Sequence, residues 1–181
     1  MNDSFGKSGN HADDQEDAAT IVDRYLGNLG PRRNDGKLAP IPTGFPKLDK
    51  CLGGLFPGEL TVLAARPGVG KTSLALEIAL SAARAGSDVA FFSLEWSAKR
   101  VGLTLLSQSS LIPFESLRQC VSGAGETAVD AAGLDIAIAE LEGLGMRIYD
   151  TPGVSLPEIE ATMNVHAGHP GGTLCIATTF N

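Results

Sequence analysis

No stretch of the 181 residues approaches the roughly 18–20 consecutive apolar positions that a membrane-crossing helix requires. The start of the chain, MNDSFGKSGNHADDQED, is polar and acidic and lacks the features of a secretory signal. Both absences point to a cytoplasmic protein with no membrane partner. Cysteine is scarce as well: Cys51, Cys120 and Cys175 lie far apart with no C-x-x-C pair. That excludes a disulfide framework, fits a reducing compartment, and leaves the three thiols to be read as small buried side chains. His166 and His169 have no partner at metal-ligand spacing and read as surface residues. No internal repeat is present. Positive charge is the most unevenly missing quantity. After Arg100 the only basic residues are Arg118 and Arg147, against nine carboxylates, and the net charge of the whole chain is -7. DNA affinity rests on Lys and Arg neutralising phosphates, so little or no DNA binding is expected of the C-terminal half.

What is present is a globular balance, 43% hydrophobic and 19% charged. Residues 1–40 read as a polar tail and a breaker-rich linker, GPRRNDGKLAPIP. Between them a short amphipathic helix is expected at 17–29, with Ala18, Ile21, Val22, Tyr25 and Leu29 at helical spacing. The folded domain is expected over residues 41–181. There the pattern alternates strand and helix. ELTVLAA (59–65) reads as a buried parallel strand. Residues 71–85 read as a helix with Leu74, Ala75, Ile78, Ala79 and Ala82 on one face, ended by Gly86. DVAFFSL (88–94) is a second buried strand. Helices are expected at 97–109, with Val101, Leu105 and Leu106 inward, and at 114–121 and 129–143. A third strand, 146–150, is closed by Thr151-Pro152-Gly153. A helix at 155–163 has Ser155 as N-cap, and 173–178 is a fourth strand. Such alternation implies a parallel sheet with helices on both faces.

Chemistry enters at 65–72, A-R-P-G-V-G-K-T, set directly between a predicted strand and a predicted helix. That context is what gives the phosphate-loop pattern its meaning. Gly68 and Gly70 allow backbone conformations that turn successive N–H groups toward one point, and the following helix adds its positive end. The loop Ala65, Arg66, Pro67, Gly68, Val69, Gly70, Lys71 and Thr72, with the adjoining Ser73, is therefore expected to bind a nucleoside triphosphate, most simply ATP. Lys71 is expected to reach the β- and γ-phosphates, and the Thr72 hydroxyl to bind Mg²⁺.

Three segments taken together resemble a known family. I-P-T-G-F-P-K-L-D-K-C-L-G-G-L-F-P-G-E-L (41–60) leads toward the loop. The loop itself opens A-R-P rather than with glycine. V-A-F-F-S-L-E-W-S (89–97) ends the second strand with an acid. Together they are similar to the C-terminal, RecA-like motor domain of DnaB-type replicative helicases. L-L-S-Q-S-S-L (105–111) and I-Y-D-T-P-G-V-S (148–155) resemble later stretches of that domain. The resemblance runs from about Ile41 to about Ile159. It implies a RecA-like P-loop NTPase core and ATP hydrolysis coupled to DNA unwinding by a hexameric ring of subunits. It makes Glu95 the catalytic glutamate that activates water, a role its strand-end position also suits. Thr43, Gly44 and Asp49 match a motif of structural role. Trp96 stands where the family commonly has Met, and reads as packing rather than base stacking.

Departures from the family bear on activity. The helix after D-T-P-G is rich in basic residues in the family. Here E-I-E-A-T-M-N-V-H has no Lys or Arg. Thr178 stands roughly where the family places an Asp of the Mg²⁺ shell. Beyond it the family has further strands, DNA-binding loops and an arginine finger, and before it a primase-interaction domain. The resemblance thus implies a C-terminally incomplete motor with impaired activity. Two other readings stay open: a nucleotide-binding remnant without catalysis, and a different RecA-like ATPase.

Overall fold

The computed structural model describes residues 39–123, 130–166 and 168–178. The expected helix at 17–29 lies outside the described residues, as do all but the last two residues of the tail and linker. The described part holds six helices, α1 (Pro46–Leu52), α2 (Lys71–Arg84), α3 (Ala98–Ser110), α4 (Phe114–Ser122), α5 (Ala131–Glu142) and α6 (Leu156–His166). Its three strands are β1 (Asp88–Ser93), β2 (Met146–Tyr149) and β3 (Thr173–Thr178). The strands form one parallel sheet in the order β2-β1-β3, with Phe92 opposite both Tyr149 and Ala177. β1 is central because every one of its six residues is buried, the signature of a strand covered on both faces. On one face Val89 and Phe91 pack with Leu76 and Leu80 of α2 and with Val101 and Leu105 of α3. On the other, Phe92 stacks on Tyr149 with ring centroids 4.8 Å apart.

One expected element does not form. Residues 59–65 have no strand assignment and no ladder partner, and Leu60 and Val62 are 90% and 77% exposed. An all-apolar strand is favourable only where both of its faces are covered, and no helix or strand among the described residues covers this one. The sheet therefore has three strands here rather than four, and the far edge of β3 is unpaired among the described residues.

The faces of two helices also differ in detail. Along α2 the buried apolar side chains are Ala75, Leu76, Ala79, Leu80, Ala82 and Ala83, while Leu74 and Ile78 are only half-buried. The alanines suit either face, so the bulkier Leu76 and Leu80 decide the rotation by filling the space against β1. On α3, Val101 and Leu105 are buried as expected, and Leu106 is half-buried. Gly86 follows the Ala85 cap with φ +90°, a value glycine adopts without strain.

The segment before the loop is a clamp. Ile41 exchanges two backbone hydrogen bonds with Leu55. Thr43 donates its N–H (2.8 Å) and its hydroxyl (2.7 Å) to the same Asp49 oxygen. These two bonds hold the Asp49 carboxyl below the usual carboxylate range. Gly44, at φ +85°, lies so close to α2 that a Cβ there would sit 2.3 Å from Ser81 Oγ. Residues 41–55 thus brace the helix that carries the phosphate loop, the structural role expected of Thr43, Gly44 and Asp49.

A polar clamp joins α2, α3 and α5. Arg84 donates twice to Glu140, at 2.8 and 3.0 Å, and Ser109 Oγ donates to the same carboxylate. Arg84 first, and Ser109 second, lower the Glu140 pKa from 4.5 to about 2. Because the folded value is the depressed one, the contribution to stability is complete above about pH 4.5. It is lost as pH falls toward 2. The pair is over a third exposed, so its worth is at most about 1 kcal/mol. Denaturant melts of wild type and Glu140→Gln should differ by that amount at pH 6 and converge only as the pH falls through about 2. A difference independent of pH would show that the bond does not depend on the charge.

Two residue readings are corrected. His166 is not a surface residue: its side chain is 1% exposed. Its Nδ1 lies 2.6 Å from Asp88 Oδ2, its Nε2 lies 3.0 Å from the Tyr149 hydroxyl, and Arg147 Nη1 is 2.9 Å from Nδ1. It is the last residue of α6, where the chain turns back toward β3, and burial is tolerable because each ring nitrogen has a partner. His169 is exposed. The three cysteines, expected to be buried, are all exposed. Ser155 starts α6 as expected, with its N–H and hydroxyl both donating to Glu158, at 2.7 Å each. No described helix is long and apolar enough to cross a membrane.

Candidate nucleotide-binding site

The C-terminal end of β1 and the N-terminal end of α2 open on one cleft of about 490 Å³. Its floor is the loop. Gly68 and Gly70 have φ +78° and +103°, and a Cβ at either would meet nothing within 4 Å. Glycine is therefore needed there for backbone conformation, and the space in front of the loop is open. Gly70 is the N-cap of α2, and no side chain caps the helix start. A helix beginning in this way presents N–H groups and a partial positive charge to whatever occupies the cleft, which suits an anion.

Ala65, Arg66, Pro67, Gly68, Gly70, Lys71, Thr72 and Ser73 all line the cleft; Val69 does not, and its side chain is 70% exposed. Glu95 enters from the opposite wall, two residues past β1. Its Oε1 is 3.5 Å from Lys71 Nζ, with both side chains largely buried at 15% and 18% exposure. Sequence separation gave no hint of this contact, since the two lie 24 positions apart; the return of the chain from α2 into β1 brings them together. Thr72 is buried on the first turn of α2, at the cleft. Among the described residues no group of three His, Cys, Asp or Glu side chains could hold a metal ion. Thr178 is buried, and its hydroxyl donates to the Phe92 carbonyl at 3.3 Å, tied into the sheet.

Two lining residues escaped the sequence reading. Trp96 packs at the margin of the core, as expected, but also faces the cleft, and Arg100 lies over its ring at 4.1 Å from the centroid. The available signal was a basic residue four positions after an aromatic one across a helix start.

A parallel sheet, an open glycine loop at a helix N-terminus and an acid on the adjoining strand end define a RecA-like P-loop NTPase core. The family model for the DnaB-like helicase C terminal domain matches residues 40–176, and the chain belongs to that family. It is 38% identical over 129 residues to the replicative DNA helicase DnaB of Geobacillus stearothermophilus, covering 70% of this chain and 27% of that protein. It is 38% identical over 127 residues to the replicative DNA helicase DnaC of Bacillus subtilis, covering 70% of this chain and 27% of that one. This chain thus spans about a quarter of the length of these relatives. Among solved structures, the ATPase domain of G40P superposes with TM-score 0.73 at 24% identity, over 90% of this chain and 56% of that one. A DnaB-like replicative helicase, solved in a study of its interactions with primase, superposes with TM-score 0.71 at 24% identity, over 89% of this chain and 38% of that one. These two likenesses speak to the fold.

Proposed function

We propose that this chain is the nucleotide-binding part of a replicative-helicase motor, binding ATP with Mg²⁺ at Ala65–Ser73 in a cytoplasmic ring of helicase subunits. The observation that carries the reading is the single cleft that unites the uncapped start of α2 with Lys71 and Glu95. Lys71 would leave its 3.5 Å contact with Glu95 to meet the β- and γ-phosphates, freeing the carboxylate to orient a water molecule. The Thr72 hydroxyl would hold Mg²⁺, which supplies charge neutralisation between the terminal phosphates.

The reading of a binder with weak or no catalysis has its own support. The resemblance puts an acid of the metal shell near Thr178, and the hydroxyl found there is engaged with Phe92. DNA contact by this chain alone should be weak, since residues 101–181 carry only Arg118 and Arg147 as cations. Calorimetric titration with ATP, with and without Mg²⁺, tests the binding. A forked-duplex assay at low salt tests the rest. Mg²⁺-dependent ATP binding without strand separation is the expected pair of results. Absence of ATP binding would refute the reading as a whole, and ATP-dependent unwinding would refute the weak DNA contact.

A further inference from the structure

We propose that Arg100, held by Trp96, is a third cation of the nucleotide site and reads the terminal phosphate, making the cleft selective for a nucleoside triphosphate over a diphosphate. The inference rests on the nucleotide-binding reading above and adds a specificity determinant to it.

Placement is the first argument. Arg100 is the third residue of α3, and Lys99 precedes it; the first turn of that helix has no acidic residue. A helix start favours negative charge, so two successive cations there oppose the dipole. The helix start is instead satisfied by other groups. Ser97 Oγ accepts from Arg100 N at 3.5 Å, and Asp150 Oδ2 accepts from Ala98 N at 2.7 Å. Arg100 contributes nothing to this capping through its side chain. The position is explained if the guanidinium serves the cleft, which it lines together with Trp96.

Orientation is the second. A long Arg side chain on a surface loses considerable rotamer entropy when it is fixed. Here the guanidinium carbon stands 4.1 Å over the Trp96 ring, within the range of a cation–π contact. The indole is itself fixed. Ser93 Oγ donates to the Trp96 carbonyl at 2.7 Å and accepts from the Trp96 N–H at 3.2 Å, and the ring packs on the hydrophobic core. The platform therefore aims the charge before any ligand arrives.

Charge and position supply the third. The cleft is lined by Arg66, Lys71 and Arg100 against the one carboxylate of Glu95, a net of two positive charges for a polyanion. The loop and the start of α2 form one wall. Glu95 and Trp96, followed by Arg100, form the other. With Glu95 orienting the water that attacks the last phosphate, as in the nucleotide-binding reading above, that phosphate lies toward the Glu95 wall. Arg100, on that wall, meets the phosphate that a diphosphate lacks. Arginine suits the task because its planar fork can pair two oxygens at once.

The test uses the whole chain, with ATP and ADP as probes and Mg²⁺ present. Affinities come from calorimetry, and emission from Trp96, the sole tryptophan of the sequence, gives an independent readout. Wild type should bind ATP more tightly than ADP, with a larger emission change for ATP as the terminal phosphate engages the guanidinium over the ring. Arg100→Ala should lose about ten-fold or more in ATP affinity, little in ADP affinity, and the ATP-specific emission change. Trp96→Leu keeps the cation but removes its platform, and should lose part of the same discrimination. Trp96→Phe should retain most of it. An Arg100→Ala variant that keeps the wild-type ratio of ATP to ADP affinity would overturn the proposal, as would an equal loss for both nucleotides. If wild type binds neither nucleotide, the nucleotide-binding reading falls and takes this one with it. If wild type binds both equally while Lys71→Ala binds neither, only the role of Arg100 is refuted.

Discussion

Replacing Lys71 with alanine should lower ATP affinity by about ten-fold or more while leaving the fold in place. Lys71 is the first residue of α2, and its amine faces the cleft and Glu95 rather than the core. A charge-assisted bond to phosphate is worth about 1.5–3 kcal/mol, which corresponds to roughly ten- to hundred-fold in affinity. Alanine is a better helix former than lysine, and the lysine lines the cleft rather than belonging to the hydrophobic core. The cost to stability should therefore stay below about 1 kcal/mol, mostly from leaving Glu95 without its nearest cation. Calorimetric titration and a thermal melt on the same sample separate the two effects. Equal ATP binding by wild type and variant would remove Lys71 from the site. Lost binding together with a collapsed melt would show that the lysine is structural.

The second large effect is expected at Glu95. Glu95→Gln keeps shape and hydrogen-bonding capacity but removes the charge needed to take a proton from water. General-base catalysis contributes about 10²–10⁴-fold, so hydrolysis should fall by at least about 10². ATP binding should be retained or slightly tightened, because a carboxylate beside the phosphates is removed. Since the resemblance puts an acid of the metal shell near Thr178, and a threonine is found there, the wild-type rate itself is expected to be low. Single-turnover phosphate release, with protein in excess over labelled ATP, is the suitable measurement. An unchanged rate would make Glu95 a partner of Lys71 and nothing more. Comparison with Lys71→Ala is informative because the two residues touch, so the losses should not add.

Much of the site was legible because it is local. A glycine loop followed by Lys-Thr needs only seven or eight consecutive residues to define an anion-binding helix start, and the helix is found where the pattern put it. β1, β2, β3 and five of the six helices, α2 through α6, were likewise legible within a few residues. In each, apolar spacing and breakers such as Gly86 and Pro152-Gly153 act over one turn or one strand. Glu95 could be suspected from its place at a strand end, although its distance from Lys71 could not.

What escaped the sequence is long-range. The apolar run at 59–65 carries every local mark of a strand, yet a strand exists only if an edge and two covered faces await it. His166 looked like a surface residue because helix periodicity says nothing of Asp88, 78 positions earlier, or of Tyr149 on β2. Arg100 carried no role in the sequence, because its contact with Trp96 is made only in the folded turn after β1.

By itself, then, the sequence determined the alternation of strands and helices, the glycine-rich loop at a helix start with its lysine and hydroxyl, and the poverty of positive charge after Arg100. These depend on neighbours along the chain. The tertiary structure alone decided the pairing of Lys71 with Glu95, the rotation of α2 onto Leu76 and Leu80, the burial of His166, and the aiming of Arg100 into the cleft. Each of these is a contact between residues distant in sequence, and its free energy exists only once the sheet has assembled and water has been excluded between its layers.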